Sequence, residues 1–178
     1  MAKEEYVIIL EYLPNGYPLE KRKLPLAQAI GEKDLTLLEI IPRKDSALEI
    51  GERIYIGEGK RDKVLYILGR LKREKLTEAA KNQLQEVIKK IITSSEDRFV
   101  NFFNKAEAIN KRAHQIELLP GLGKKHMQEI IKAREEREFE SFDDMKKRIQ
   151  NLPDPEKAIE KRIFQELTNM ERYNLFVK

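Results

Sequence analysis

The hydrophobic pattern of the chain changes character near Lys75. Before this residue, short runs rich in Val, Ile, Leu and Tyr are separated by turn signals such as Leu13-Pro14-Asn15-Gly16. After it, apolar residues recur at intervals of three and four over long stretches, which is the spacing of one face of an α-helix. The pattern therefore predicts an α+β chain, with a β-rich part over residues 1–75 and an all-α part over residues 76–178.

The first part contains four predicted strands and one ambiguous segment. The strands cover residues 6–12, 35–41, 53–56 and 64–70. Residues 24–30 fit either a short strand or a helical turn. Several short strands separated by turns are typical of a small antiparallel barrel or sandwich.

The second part contains helices with recognisable starts. They are predicted over residues 76–92, 95–117, 126–134 and 155–170, with a further helix beginning at Phe142. Thr77 lies near the start of the first helix, and Ser94 and Ser141 are suited to cap the helices that follow them. Phe99, Phe102 and Phe103 recur at core spacing, so we interpret them as buried residues rather than as a base-stacking platform. We expect the tail, residues 173–178, to pack back onto the strands.

The most informative segment is Leu118-Leu119-Pro120-Gly121-Leu122-Gly123-Lys124-Lys125, directly before a helix. Glycine reaches positive φ easily and has no Cβ, so the amides of Gly121, Gly123 and Lys124 could form a small anion-binding concavity. The helix N-terminus adds to it. We predict a phosphate site made of Gly121, Leu122, Gly123, Lys124, Lys125, Lys132 and Arg134. An ordinary turn between helices is the alternative.

Leu119-Pro120-Gly121-Leu122-Gly123, with Ile130 and Ile131 behind it, resembles the helix-hairpin-helix motif of sequence-nonspecific DNA- and RNA-binding modules. A second copy, Leu152-Pro153-Asp154-Pro155-Glu156, carries acidic residues in place of the two glycines. Acidic residues would repel phosphate, so we interpret this copy as structural, with Asp154 capping a helix that starts at Pro155. The resemblance implies a tandem domain in which hairpin 118–125 binds, the degenerate copy 152–157 packs, and hairpin carbonyls hold a monovalent cation.

An oligonucleotide-binding barrel in the first part would match this partner, and we favour that form. Bases stack on aromatic side chains while positive charges follow the backbone. Candidate contacts are Tyr12, Tyr17, Tyr55 and Tyr66 with Lys21, Arg22, Lys23, Arg43, Arg53, Lys60 and Arg61. Each tyrosine alone fits a half-buried strand residue better, so only the collective pattern favours binding. The predicted strand 64–70 is strongly apolar, which disfavours nucleic-acid binding there.

Over most of its length the chain also resembles an archaeal family, domain of unknown function 655, described as nucleotide- or RNA-binding proteins. The resemblance rests on Pro25-Leu26-Ala27-Gln28-Ala29-Ile30-Gly31, Arg98-Phe99-Val100-Asn101-Phe102-Phe103-Asn104-Lys105-Ala106 and the segment from His114 to Lys125. It implies a β-barrel-like part joined to tandem helix-hairpin-helix elements. It implies no established activity.

Composition and charge exclude several function classes. The net charge is +4, with 15 basic and 13 acidic residues up to Lys75 and 20 and 18 after it, so charge does not assign binding to one part. The absence of cysteine excludes disulfides and thiolate metal sites. No apolar run approaches the roughly twenty residues of a membrane span, and no signal peptide is recognisable. These features predict a soluble cytoplasmic protein without a membrane partner.

Catalytic motifs are scarce. His114 and His126 lack the spacing of a zinc site, and we interpret both as polar helical residues. We therefore predict a nonenzymatic, sequence-nonspecific nucleic-acid-binding protein without a cofactor, with RNA preferred. The alternative is a protein-interaction adaptor in a translation or transcription assembly. A DNA-repair-type enzyme ranks third, because Asp143 and Asp144 fit the first turn of a helix, where acidic residues are stabilising.

Overall fold

The computed structural model describes residues 3–178 and confirms the α+β class. The chain divides into two units. The first contains the residues up to Val87 together with Glu166–Lys178, and the second is Ile88–Gln165. Both divisions fall inside helices, α1 (Glu78–Ser94) and α5 (Pro155–Thr168). The polypeptide thus leaves the first unit and returns to it along helical segments.

Five antiparallel strands form the sheet of the first unit, in the order β4-β1-β2-β3-β5. They are β1 (Tyr6–Leu13), β2 (Leu26–Gly31), β3 (Leu37–Pro42), β4 (Arg53–Tyr55) and β5 (Val64–Arg70). The ambiguous segment 24–30 is therefore strand β2. Register shifts in the β1–β2 and β3–β5 pairs are β-bulges, which bend strands and curl the sheet. Its core contains Val7, Ile9, Ala27, Ala29, Leu38, Ile40, Leu48, Ile54, Ile56 and Val64.

The third strand begins two residues later than predicted. Leu35 has a φ of 56° and lies in the turn between β2 and β3, where Gly31 donates its amide to the Thr36 carbonyl at 2.8 Å. The Glu4 carboxylate accepts hydrogen bonds from the amides of Lys33 and Asp34 and so holds this turn. The side chain of Leu35 is nevertheless fully buried, which explains why it fitted the hydrophobic pattern of the strand.

Strands β2 and β3 are buried along their whole length. Glu11, Gln28 and Glu39 face one another across three strands. The Gln28 side chain donates to the carbonyl of Lys75 at 2.7 Å and accepts from the amide of Thr77 at 3.1 Å. The segment leading into α1 therefore covers this face of the sheet.

The C-terminal tail contacts the same unit, as predicted. The Lys178 amide donates to the Asp34 carbonyl at 2.9 Å, and the Glu166 carboxylate accepts from the amides of Phe176 and Val177.

The second unit is helical. It contains α2 (Glu96–Lys105), a 3₁₀ helix (Gln115–Leu118), α3 (Lys124–Glu136) and α4 (Phe142–Arg148), with parts of α1 and α5. Phe99 and Phe103 are fully buried, which confirms their interpretation as core residues, whereas Phe102 is only half-buried. Other buried side chains of this unit include Ile116, Leu119, Leu122, Ile130, Phe142, Met145, Ile159 and Ile163.

The single helix predicted over residues 95–117 is wrong beyond Lys105. Ala106 leaves the helical conformation with ψ near 142°, and the Asn110 side chain accepts hydrogen bonds from the amides of Arg112 and Ala113. Such local side-chain bonds compete with helix formation. The capping role predicted for Ser94 is also wrong, because α1 extends through Ser94 and the residue before α2 is Ser95.

Candidate nucleic-acid interface

The hairpin joins the 3₁₀ helix to α3 and is anchored by two leucines. Leu119 and Leu122 are buried, and the Leu122 amide donates to the Leu119 carbonyl at 3.1 Å. Gly121, at the exposed tip, has a φ of 86°. This left-handed conformation favours glycine. The two buried leucines thus anchor the turn, and Gly121 is left exposed to solvent.

Gly123 is a glycine without a conformational requirement. It is the N-cap of α3, and its φ of −99° and ψ of −170° suit any residue. A Cβ built on it meets no atom within 4 Å. Ser, Thr, Asp and Asn are the favoured N-cap residues, because their side chains satisfy the first amides of a helix. The glycine instead leaves the first turn of α3 open to an approaching group.

Several backbone donors at this helix end are free. Among the residues that the structure describes, none accepts a hydrogen bond from the amides of Gly121, Lys124 or Lys125. The Gly123 amide, which was also predicted as a donor to an anion, is not free, because it donates to Nδ1 of His126 at 3.1 Å. The partial positive charge of the N-terminus of α3 adds to the field of these amides. The hairpin can therefore accommodate an anion through backbone groups.

The predicted basic side chains have different environments. Lys124, Lys125 and Lys132 are exposed, and none forms an ion pair with another described residue. Arg134 instead donates from Nη1 to the carbonyls of Phe103 and Ala106 at 3.0 and 2.8 Å. These carbonyls lie at the C-terminal end of α2, where backbone acceptors lack intrahelical partners. Arg134 thus joins α3 to α2, and we leave it out of the phosphate-binding set.

The prediction of a helical position is wrong for His114 and confirmed for His126. His114 precedes the 3₁₀ helix, and its Nδ1 accepts from the Ile116 amide at 3.1 Å. Burial, together with the nearby positive charge of Arg134, lowers the pKa of His114. His126 lies in α3. Within residues 3–178, no group of three or more His, Cys, Asp or Glu side chains is arranged to hold a metal ion.

The degenerate second copy forms the turn between α4 and α5. The Asp154 carboxylate accepts from the Glu156 amide at 3.0 Å, which confirms its predicted cap, and α5 begins at Pro155. The left-handed residue of this turn is Asn151, with a φ of 59°, so the two turns differ in backbone conformation. Buried Arg162 of α5 donates to the Leu118 carbonyl at 3.4 Å. Helix α5, which follows the second copy, thus contacts the base of the intact hairpin.

The two acidic residues considered for catalysis lie in the first turn of α4, as predicted. The hydroxyl oxygen of Ser141 accepts a hydrogen bond from the amide of Asp144 at 2.9 Å, so Ser141 caps this helix. A hydrogen bond from the Glu140 amide is the main cause that lowers the pKa of Asp144. The positive charges of Arg148 and Arg137 lower it further. Asp143 pairs with Lys147 at 2.9 Å. Helix capping and ion pairing therefore account for both carboxylates.

The predicted basic and aromatic residues of the first unit are divided among separate places. In the loop after β1, Tyr17 donates its hydroxyl to Glu39 at 2.7 Å, and Lys23 donates to the carbonyls of Tyr17 and Pro18. Burial is the main cause that raises the pKa of Tyr17. Lys21 and Arg22 of this loop are exposed.

At β4, the predicted residues contact other protein groups. Arg53 pairs with Glu32 at 2.7 Å and stacks on the Tyr6 ring at 3.6 Å. The Tyr55 hydroxyl accepts from the amide of Gly59. These side chains organise the protein rather than present free binding groups.

A third group lies beside the end of β3. Arg43 donates from Nε to the carbonyl of Arg61 at 2.8 Å, and Arg61 donates to the carbonyl of Gly57. Lys60 is exposed in the same loop, and Tyr12 and Arg43 line one groove. Tyr66 is exposed on β5 beside Leu65 and Leu68. The structure thus brings Tyr12, Arg43 and Arg61 into one region but leaves the other predicted contacts apart.

A family model described as "Protein of unknown function (DUF655)" matches residues 3–178. The chain belongs to the DUF655 family. An uncharacterised protein of the archaeon Methanocaldococcus jannaschii is 45% identical over 177 residues, which cover 98% of this chain and 80% of that protein. The crystal structure of Af1531 from Archaeoglobus fulgidus, also a DUF655 protein, is similar with a TM-score of 0.87 and 45% identity over 98% of this chain and 100% of that one.

Both DUF655 relatives are archaeal, which confirms the family resemblance found in the sequence. Across residues 3–178, no helix has the length and apolar character needed to cross a membrane.

Proposed function

We propose that this DUF655 protein binds nucleic acid without sequence specificity and without enzymatic activity, with RNA preferred, through hairpin 118–125. The observation that carries the proposal is the set of free amides at Gly121, Lys124 and Lys125, beside two exposed lysines and the open position at Gly123. Amides at a helix N-terminus bind phosphate oxygens. Phosphate contacts position a protein on nucleic acid without reading its sequence.

Two further features support this proposal. The paired turns before α3 and α5 support a tandem helix-hairpin-helix interpretation, in which carbonyl oxygens of the first hairpin would hold a monovalent cation. A curled five-stranded antiparallel sheet supports an oligonucleotide-binding barrel, which is a partly open five-stranded fold that binds through the β2–β3 face and the loops after β1 and β4. Since residues 75–77 cover the β2–β3 face here, the loops carrying Lys21, Arg22 and Lys60 would provide any barrel contact.

Filter binding at several salt concentrations tests this function. Single-stranded RNA, duplex RNA and duplex DNA are compared for the native protein and Lys124→Gln. If Lys124 contacts duplex phosphate, its loss should reduce the slope of log affinity against log salt by about 0.9. The matched control is Lys146→Gln, an exposed lysine without an ion pair among the described residues. Its helix contacts the far end of α3 through Arg148, which donates to the Ala133 carbonyl.

An unchanged slope and affinity for Lys124→Gln would remove Lys124 from the site. A larger loss for Lys146→Gln would place the contact elsewhere in the helical unit.

A protein-interaction adaptor is the second candidate, because the edge strand β5 exposes apolar side chains. Leu65, Tyr66 and Leu68 each keep 42–51% of their surface exposed. Exposed apolar edge strands are suited to contact other proteins. Absence of salt-sensitive binding to all three nucleic acids in the filter assay would favour this function.

A further inference from the structure

A groove of about 530 Å³ opens at the end of the sheet where β1 and β3 finish and β2 and β5 begin. Its lining residues are Tyr12, Pro25, Pro42, Arg43, Lys44, Asp45, Ser46, Ala47 and Leu65. Pro42 ends β3 and Pro25 precedes β2, and proline cannot donate a ladder hydrogen bond. The β2–β3 ladder ends at the Ala27–Ile40 pair, so Pro25 and Pro42 are not paired with each other.

The walls of the groove are mostly apolar. Tyr12 packs on the sheet core with one side and lines the groove. The β3–β5 register shifts between Ile41 and Pro42, so that Leu65 lies between the paired positions. This bulge leaves Leu65 51% exposed beside the groove. An aromatic ring, two prolines and a leucine give the groove apolar surface against which a planar ring can pack.

The rim carries two cationic side chains, Arg43 and Lys44, without an acidic partner among residues 3–178. Arg43 is positioned by two hydrogen bonds, from its Nε to the Arg61 carbonyl and from its amide to the Lys63 carbonyl, each 2.8 Å long. The remaining guanidinium N–H groups of Arg43 are available for a bidentate contact with phosphate.

One carboxylate limits where an anion can lie. Asp45 occupies the turn after Arg43 in a left-handed conformation, with a φ of 66°, and the Ser46 amide donates to the Arg43 carbonyl at 3.0 Å. A phosphate beside Asp45 would be repelled, whereas an amino group on a ring could donate to this carboxylate. The rim therefore favours a ligand with an anionic part near Arg43 and a ring that carries hydrogen-bond donors.

We infer that this groove binds one unpaired nucleotide of a single-stranded RNA, with the base against Tyr12 and Leu65 and its phosphate at Arg43 and Lys44. A base that stacks on an aromatic side chain must be free of its own duplex. The groove would thus give the protein a preference for single strands that the hairpin alone does not provide. This inference rests on the proposed function for its ligand class, but the groove and the hairpin are separate sites.

The test uses the 178-residue chain and a single-stranded oligocytidylate, whose bases carry an amino group, with a duplex RNA of equal length for comparison. NMR should show shifts of Tyr12 ring signals with the single strand and not with the duplex. Tyr12→Leu and Arg43→Gln should each lower single-strand affinity three- to tenfold, while Tyr12→Phe retains it. The matched control is Arg70→Gln, an exposed arginine outside the groove, and it should leave affinity unchanged.

The variants separate the groove from the hairpin. If Lys124→Gln weakens binding while Tyr12→Leu and Arg43→Gln, folded by their amide spectra, bind like the native protein, the groove inference is overturned and the hairpin proposal stands. If only the groove variants weaken binding, the inference stands and the hairpin proposal fails. Cytidine monophosphate that binds as tightly as the oligonucleotide would indicate a free nucleotide and overturn the single-strand assignment.

Discussion

Replacing Gly123 by alanine probes the open end of α3 without straining the backbone. The residue has a φ of −99°, and a Cβ meets no atom within 4 Å. A less flexible unfolded chain stabilises the variant by about 0.4–1 kcal/mol. Alanine is a poorer N-cap than glycine, which offsets this gain by several tenths of a kcal/mol. The free energy of unfolding should therefore change by less than about 0.5 kcal/mol.

The same substitution should weaken RNA binding strongly. The new methyl group would occupy the space through which a phosphate approaches the amides of Lys124 and Lys125. Loss of one hydrogen bond to a charged group amounts to about 1.5–3 kcal/mol, and each 1.4 kcal/mol corresponds to a tenfold change in affinity. We expect affinity to fall by about 10- to 100-fold.

Two other glycines provide matched controls for this experiment. Gly121 and Gly51 have φ values of 86° and 84°, and a Cβ on either meets no atom within 4 Å. Alanine at each position should therefore destabilise the fold by a similar amount, about 1–2 kcal/mol from the left-handed conformation. Only Gly121→Ala should also weaken RNA binding, because Gly51 lies in the first unit, outside the hairpin.

Urea unfolding and filter binding at one fixed salt concentration measure both quantities. A Gly123→Ala protein as stable as the native one that binds RNA with native affinity would refute a phosphate site at the open end of α3. Equal losses of affinity in Gly51→Ala and Gly121→Ala would also refute it, since backbone strain would then explain the effect.

Three further variants test the structural roles assigned around the site. Arg134→Gln should lower the free energy of unfolding by about 2 kcal/mol in urea titrations, because the carbonyls of Phe103 and Ala106 lose a charged donor; a change confined to RNA affinity would contradict this role. Asp154→Ala should lower it by about 1 kcal/mol through loss of the α5 cap, with Asp62→Ala as an exposed acidic control. Because the folded pKa of His114 is lowered, its contribution is complete above its unfolded pKa of about 6.5 and is lost as pH falls below that value. His114→Asn should therefore flatten the decline in stability between pH 7 and 5, and an unchanged decline would exclude His114 as its source.

Local turn and cap chemistry made much of this fold predictable from the sequence. Gly121 marks a left-handed turn, Ser141 and Asp154 cap the helices that follow them, and β5 covers the predicted residues. These features depend on residues within a few positions of one another, so a single sequence carries the information. The prediction that the second helix continues through residues 106–117 was wrong for an equally local reason. The Asn110 side chain forms a turn that the hydrophobic pattern does not reveal.

The sequence by itself determined the α+β class and the presence of a glycine hairpin before a basic helix. Tertiary structure decided which of the predicted site residues are available. It directs Arg134 to the end of α2, covers the β2–β3 face with the segment before α1, and brings Tyr12, Arg43 and Leu65 to one groove. Each of these outcomes depends on contacts between residues far apart in the chain. Hydrophobic spacing and local propensity describe neighbours only, so they cannot specify such contacts.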